Sequence, residues 1–281
     1  MRSEDPGVRQ GARLLHVALL VPCAAILHAA CGSEPPSPDT LRHVVVIGAS
    51  ASAGHGTGNE VGAQGEDVAL ADVLRVMIKS KEGRVTDASD ALFLIAPEST
   101  GAELADKARE SDPSCVIAVD FLYWLAHGRS GSLDDRLGRL DVGLKQLEGI
   151  ECPVLISELP ALQLAPGGGS SARSASDPEM LEALNRIIVA WADARTKVWI
   201  VPIKERLADL YEEKTVQVAG NRWKPPEAIA EILQMDGRHP TVAGLGMIAA
   251  LCLETLVESN LVSESDVDLD ARAAARTASS R

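Results

Sequence analysis

Short apolar runs alternate with amphipathic segments along most of the chain. Five runs of aliphatic residues are each bounded by polar or turn-forming residues, and they occupy positions 44–48, 91–96, 115–120, 153–157 and 198–203. Runs of this kind are typical of parallel strands that are buried on both faces of a sheet. The intervening segments 66–79, 101–110, 133–147 and 177–195 have helical periodicity, and a last helix is predicted over 242–257.

This alternation predicts an α/β fold with three layers (αβα), in which helices cover both faces of a doubly wound, five-stranded parallel sheet. In such folds ligands bind at the carboxyl ends of the strands. Three segments fall outside the pattern. Residues 54–65 are predicted as a glycine-rich, mobile loop in which His55 is solvated, and residues 215–223 as a hairpin with a Gly-Asn turn. The glycine-, proline- and serine-rich residues 160–176 are predicted as a flexible flap or an exposed excursion.

Both ends of the chain differ from the folded body, which is predicted over 41–261. Residues 1–30 read as an export signal, because three arginines precede a run, 14–30, that contains no Asp, Glu, Lys or Arg. Small residues before Cys31 and a proline-rich tether over 31–40 resemble the signal of bacterial lipoproteins, with Cys31 as the lipidated residue. Residues 262–281, an acidic run followed by alanines and arginines, are predicted as a disordered tail.

The N-terminal pattern leaves three alternatives: a lipid anchor at Cys31, plain secretion, or an uncleaved anchor. The first two place the protein in the bacterial cell envelope, facing the periplasm, or outside the cell.

The charge and composition of the chain exclude several classes of partner. Forty acidic residues against 27 Lys and Arg give a formal net charge of -13, which repels both nucleic acid and anionic lipid. Membrane contact is therefore expected only through the N-terminal anchor. The chain has neither the Gly-Lys-Ser/Thr of a P-loop nor an H-E-x-x-H cluster, so no cofactor and no metal ion is predicted.

Candidate chemistry lies at the end of the first predicted strand and before the last helix. Ser50 follows that strand among small residues, on a tight turn where backbone N–H groups can bind an anion. A serine hydroxyl becomes a good nucleophile only beside a base, normally a histidine that a third group orients. Asp236 and His239 are three residues apart, so the carboxylate can reach one ring nitrogen while the other faces Ser50.

These two blocks resemble those of the GDSL or SGNH hydrolase family, whose first block reads Gly-Asp-Ser and whose last reads Asp-x-x-His-Pro. The resemblance spans residues 42–257 and implies the flavodoxin-like fold of the SGNH hydrolases. It also implies that Ser50 is the nucleophile, His239 the base and Asp236 the acid that orients it.

Three parts of the family's pattern are changed in this sequence. Ala49 stands where the family has an Asp before the nucleophile. In the family, a Gly after the second strand and an Asn after the third complete the oxyanion hole. Gly101 is the candidate for the first, and Tyr123 occupies the position of the second, with its hydroxyl as the alternative donor. Asp120, at the end of the third predicted strand, either binds substrate or steadies the Ser50 turn.

The sequence therefore predicts an exported serine esterase that hydrolyses an acyl ester, for example an O-acetyl group on an envelope glycan or a lipid. Because the oxyanion block is rewritten, a second interpretation stays open. In it, the chain is a noncatalytic ligand-binding or assembly lipoprotein that keeps the fold with a decayed site.

Overall fold

The computed structural model describes residues 38–61, 65–80, 82–127, 131–162 and 177–280. Five strands form one parallel sheet in the order β2-β1-β3-β4-β5. They are β1 (His43–Val46), β2 (Arg84–Asp87), β3 (Cys115–Ala118), β4 (Val154–Ser157) and β5 (Val198–Val201). This order confirms the predicted doubly wound sheet, and its switch point lies between β1 and β3.

Ten helices accompany the sheet in the described residues. They are α1 (Gly58–Val61), α2 (Leu70–Met77), α3 (Pro97–Glu110), α4 (Phe121–His127), α5 (Leu133–Glu148), α6 (Pro178–Asp193), α7 (Ile203–Tyr211), α8 (Glu227–Ile232), α9 (Val242–Glu258) and α10 (Ala271–Ala278). Short 3-10 turns cover Pro38–Leu41, Phe93–Ile95 and Glu264–Asp266.

The sheet separates two hydrophobic cores, as the period of two along a strand requires. In β1, Val44 and Val46 pack with α2, α7, α8, α9 and α10, whereas Val45 packs with α3, α4, α5 and α6. All three valines are at most 1% exposed. The structure therefore has the three layers that the sequence predicts.

One predicted strand is wrong. Residues 91–96 form a turn and a 3-10 helix, and the second strand is β2 at the edge of the sheet. In β2 only Val85 is buried, so the segment lacks a continuous apolar run. In the segment 91–96, Phe93 enters the core, whereas Leu92 and Ile95 are exposed.

The predicted disordered tail is also wrong. Residues 271–278 form α10, which packs on α9 and α2 through four buried alanines, Ala271, Ala274, Ala275 and Ala278. The small side chains allow a close approach: a Cβ added at Gly246 of α9 would lie 2.4 Å from the Ala271 carbonyl oxygen. The alanines of this segment recur at helical spacing, a signal that its charge and composition do not show.

One other prediction is confirmed, and the rest lie largely outside the described residues. The hairpin is confirmed as β6 (Val216–Val218) and β7 (Asn221–Trp223), which pair antiparallel around Gly220. The signal over 1–30, Cys31, most of the tether and residues 163–176 of the predicted flap lie outside the described residues. No helix in the described part of the chain is long and apolar enough to cross a membrane.

Candidate active site

Ser50 lies on the turn that leaves β1, and Asp120, which follows the neighbouring strand β3, holds this turn. Asp120 Oδ1 accepts hydrogen bonds from the Ala49 N–H (3.1 Å) and the Ser52 hydroxyl (2.6 Å). Its Oδ2 accepts from the N–H groups of Ala51 (3.0 Å) and Ser52 (3.1 Å). Of the two roles that the sequence left open for Asp120, this geometry matches the steadying one.

The Asp120 carboxylate sits where a side chain on the turn would clash with it. A Cβ added at Gly48 would lie 2.1 Å from Asp120 Oδ1, so only glycine permits this approach. Desolvation raises the pKa of Asp120, and the hydrogen bonds from Ser52, Ala49 and Ala51 lower it, with a net upward shift. The carboxylate that holds the turn therefore belongs to Asp120, just after β3. In the GDSL or SGNH pattern, by contrast, an Asp directly precedes the nucleophile.

The backbone N–H of Ser50 differs from those of its neighbours. Asp120 binds the N–H groups of residues 49, 51 and 52, whereas the Ser50 N–H has no hydrogen-bond partner among the described residues. An unpartnered N–H at the carboxyl edge of a sheet can donate to an oxyanion without first breaking another bond.

His239 and Asp236 lie on a tight turn between α8 and α9. The Asp236 Oδ1 atom accepts from the N–H groups of Arg238 (2.9 Å) and His239 (3.0 Å), and Gly237 has the positive φ of 67° that the turn requires. This leaves Asp236 Oδ2 2.5 Å from Nδ1 of His239. The Nε2 atom of His239 lies 3.0 Å from Ser50 Oγ.

The electrostatics of Asp236 suit an ionised partner for the histidine. Partial burial raises the pKa of Asp236, but hydrogen bonds from the His239 and Arg238 backbone and from the His239 ring outweigh it, and the pKa is lowered. A proton on Nδ1 donated to this carboxylate leaves Nε2 free to accept the Ser50 proton.

Gln234, which sequence reasoning missed, joins the two turns. Its Nε2 donates to the carbonyl oxygens of His55 and Pro240, both at 2.8 Å. One amide therefore fixes the segment after Ser50 to the segment after His239. Nothing in the local sequence marks Gln234, because its partners are 179 and 6 residues away.

His55 also lies closer to the site than its loop context indicates. The sequence predicts a solvated residue, and the ring is exposed. However, its centroid is 5.0 Å from that of His239, in an edge-to-face arrangement.

A pocket opens beside Ser50 and His239, with about 870 Å³ of empty space including the solvent at its mouth. It extends across the carboxyl ends of β3 and β4 towards α7 and α9. Most of its wall is aliphatic: Leu70, Val119, Leu159, Leu162, Ile203, Leu207, Ile232, Leu233, Leu245, Met247 and Ile248. An apolar wall beside a hydroxyl and an imidazole is suited to a ligand with a polar bond at one end and a hydrocarbon part.

Tyr123 and Trp124 line the same pocket, and their rings meet edge to face at 5.3 Å. Burial raises the pKa of Tyr123 to about 12, although the Arg238 charge acts in the opposite direction. The phenol is therefore protonated at neutral pH and can donate a hydrogen bond. The guanidinium of Arg238 stacks over Trp124, 5.6 Å from the ring centroid.

Glu158, for which the sequence predicts a solvated or helix-capping role, is a buried acid on the pocket wall and forms an ion pair with Lys204. Burial raises its pKa, the Lys204 ammonium lowers it, and the nearby Glu205 raises it again, with a net upward shift. In the described ranges, no group of three or more His, Cys, Asp or Glu side chains is arranged to hold a metal ion.

Gly101 does not fulfil its predicted role. It lies in the second turn of α3, where an added Cβ would meet Gln146 and Phe121, and it does not line the pocket. Because the second strand is predicted over 91–96, residues 97–101 are expected to leave that strand, whereas they form the start of α3. The true exit from β2 is at 88–90, where the Asp90 N–H donates to the Gly48 carbonyl oxygen (3.0 Å).

Comparison with solved structures finds several that are similar to this chain. A lipase/acylhydrolase from Enterococcus faecalis is 15% identical, with a TM-score of 0.52 over 78% of this chain and 96% of that one. A GDSL-like lipase from Bacteroides thetaiotaomicron is 15% identical, with a TM-score of 0.45 over 81% of this chain and 93% of that one. The esterase EstA from a Pseudoalteromonas species is 12% identical, with a TM-score of 0.46 over 78% and 98%.

By sequence, no protein-family model and no curated protein matches the chain. The structural likeness to the Enterococcus faecalis protein nevertheless covers almost all of that chain. The chain therefore has the αβα fold of a lipase/acylhydrolase, which confirms the fold predicted from its resemblance to the GDSL or SGNH hydrolases.

Proposed function

We propose that the protein is a serine esterase. The observation that carries this proposal is the continuous hydrogen-bonded chain from Asp236 through His239 to Ser50, beside the Ser50 N–H, which has no partner among the described residues. A nucleophile, a base within hydrogen-bond reach and a group that orients the base are what acyl transfer needs.

In the first half of the reaction, His239 Nε2 takes the proton of the Ser50 hydroxyl as Oγ attacks the ester carbonyl carbon. The ionised Asp236 carboxylate stabilises the imidazolium that forms. The Ser50 N–H binds the carbonyl oxygen as it becomes negative. The imidazolium then gives its proton to the leaving alcohol, and an acyl-Ser50 ester remains.

In the second half, water replaces the alcohol. His239 takes a proton from the water as it attacks the acyl carbon, and then returns this proton to Ser50 as the acid is released. The products are a carboxylic acid and an alcohol, and Ser50 is regenerated.

The Tyr123 hydroxyl is proposed as a second donor to the oxyanion. It occupies the position of the family's Asn, lines the pocket with Ser50 and keeps its proton at working pH because its pKa is about 12. Removing one oxyanion donor typically lowers kcat by about 100- to 1000-fold. Tyr123→Phe is therefore expected to lower kcat by at least about 100-fold, with a smaller effect on KM.

The pocket wall favours an aliphatic acyl chain over an acetyl group. Each methylene group buried against it contributes about 0.8 kcal/mol to binding. The alcohol part of the ester can then vary, and either a glycan or a lipid alcohol is compatible with the mechanism.

Export with a lipid anchor at Cys31 is proposed from the sequence pattern of residues 1–40. Metabolic labelling with a radioactive fatty acid tests this, because the full-length chain should incorporate label and Cys31→Ser should not. Equal labelling of both chains would remove the anchor from the proposal.

The esterase proposal is tested by hydrolysis of 4-nitrophenyl octanoate by residues 32–281. Wild type should turn over, whereas Ser50→Ala and His239→Ala should retain less than about 0.1% of kcat. Ser52→Ala is the matched comparison for a serine change on the same turn. It removes one hydrogen bond to Asp120 but not the hydroxyl beside His239, so it should lose much less of kcat than Ser50→Ala. Hydrolysis by Ser50→Ala at the wild-type rate would reject the proposal in favour of the binding-protein alternative or another site.

A further inference from the structure

Arg238 places a positive charge on the wall of a largely aliphatic pocket in a strongly acidic protein. The residue lines the pocket directly beside His239. Its guanidinium is held over Trp124, which fixes it without neutralising its charge. Its Nε atom is buried and has no hydrogen-bond partner among the described residues.

Every acid near the pocket already has another partner. Asp236 binds His239, Asp120 binds the Ser50 turn, and Glu158 binds Lys204. Arg238 forms no ion pair with a carboxylate in the described part of the chain, and residues 163–176, which follow the pocket lining at Leu162, contain no Asp or Glu. Arg238 is therefore a cation without a carboxylate partner among the described residues.

The turn does not require an arginine at this position. It uses only the backbone N–H of Arg238, which donates to Asp236, while the conformation that favours glycine falls on Gly237. A buried donor without a partner lowers stability, so the side chain needs an explanation outside the fold.

We propose that Arg238 binds a carboxylate or phosphate group carried by the alcohol part of the ester. This inference rests on the proposed esterase function. His239 delivers its proton to the leaving alcohol, and Arg238, the preceding residue, lines the same pocket, so we place the anion on the alcohol side. The aliphatic wall receives the acyl chain. The substrate class is then an anionic amphiphile: a fatty acyl ester of an alcohol that bears a carboxylate or phosphate.

A matched pair of substrates tests the proposal. The acid 4-nitro-3-(octanoyloxy)benzoic acid and its neutral methyl ester release the same type of nitrophenol and carry the same acyl chain. Wild type should have a kcat/KM at least about tenfold higher for the acid, because a hydrogen bond to a charged group typically changes an equilibrium by this factor or more.

Three variants identify the cause of that preference. Arg238→Gln should lower kcat/KM for the acid at least about tenfold more than for the methyl ester, and Arg238→Lys should restore part of the difference. Arg186 is an exposed arginine on α6, and Arg186→Gln should leave kcat/KM unchanged for both substrates. An equal loss on both esters in Arg238→Gln, or no preference in wild type, would overturn the proposal.

A second arm separates the two anions and does not need catalysis. Octyl phosphate and octanoate are titrated by calorimetry into Ser50→Ala and into Ser50→Ala combined with Arg238→Gln. Tighter binding that depends on Arg238 supports the proposal, and the anion with the larger dependence is the preferred group. Equal affinities in the two proteins for both ligands would overturn it. If hydrolysis fails but this dependence is found, the esterase function fails and the anion site stands.

Discussion

The Nε2 atom of His239 lies 3.0 Å from the Oγ atom of Ser50, although 189 residues separate them in the sequence. The fold explains the contact, because Ser50 follows β1 beside the switch point of the sheet and His239 precedes α9, which packs on that sheet. Gln234 fixes the two turns to each other through His55 and Pro240.

Asp120 should act as a positioning residue. In Asp120→Asn an amide NH2 would face N–H groups that now donate to the carboxylate, so the Ser50 turn should lose part of its support. We expect kcat to fall by about tenfold to 100-fold, with a much smaller change in KM. Steady-state kinetics with 4-nitrophenyl octanoate measures both.

The control for Asp120→Asn is Asp141→Asn, which removes a carboxylate that pairs with Lys145 on the surface of α5. It should leave both constants unchanged. A purely structural role for Asp120 would lower the melting temperature and the active fraction without lowering kcat per active site, and that result would contradict the positioning role.

The aliphatic wall should set the acyl chain length. From 4-nitrophenyl acetate to octanoate, kcat/KM should rise at least about tenfold, because two buried methylene groups already contribute about 1.6 kcal/mol. Ile248→Trp should reverse this order by filling the pocket that Ile248 lines. Ile187→Trp, at an exposed position on α6, should keep the wild-type order. A preference for acetate in wild type would show that the acyl chain does not enter this pocket.

Asp236 should contribute to stability in a pH-dependent way. Its folded-state pKa lies below the ordinary value of 3.8, so its contribution is complete above that value and is lost as the pH falls through the folded-state pKa. The difference in urea midpoint between wild type and Asp236→Asn should therefore shrink as the pH falls below about 4. A difference that grows over this acidic range would contradict the assigned direction.

The C-terminal helix should be part of the folded unit. Removing residues 270–281 exposes the surface that four alanine methyl groups of α10 cover, and at about 0.8 kcal/mol for each group it should cost about 3 kcal/mol. Urea denaturation measures the loss, and removal of residues 279–281 alone is the control with little expected effect. Identical midpoints for the two truncated chains would mean that α10 contributes nothing.

The sequence predicts those parts of the fold that have a local pattern. β1, β3 and β4 are found because strands covered on both faces are continuously apolar, and the edge strand β5 is found because its run is apolar although only Val201 is buried. The edge strand β2 has only Val85 inside, lacks such a run and is missed. The apolar run at 91–96 was misleading since Leu92 and Ile95 are exposed. Hydrophobicity alone does not distinguish an edge strand from a loop.

The site likewise contains residues that a local sequence pattern predicts and residues that no such pattern predicts. Ser50, Asp236 and His239 are predicted because the first follows a strand and the other two are spaced around one turn. The partners of Asp120 and Gln234 come from residues far away in sequence, so their contacts appear only in three dimensions. The pocket wall likewise combines residues from separate helices and strand ends, and no local pattern reports it.

The central claim is that His239 activates Ser50, and reaction with a fluorophosphonate tests it most directly. Residues 32–281 are incubated with the probe beside Ser50→Ala, His239→Ala and Ser52→Ala, and any adduct is located by peptide mass. We expect one adduct, at Ser50, in wild type and Ser52→Ala, and none in Ser50→Ala or His239→Ala. Wild-type protein with a cooperative unfolding transition that stays unlabelled, or that is labelled at another residue, would contradict it.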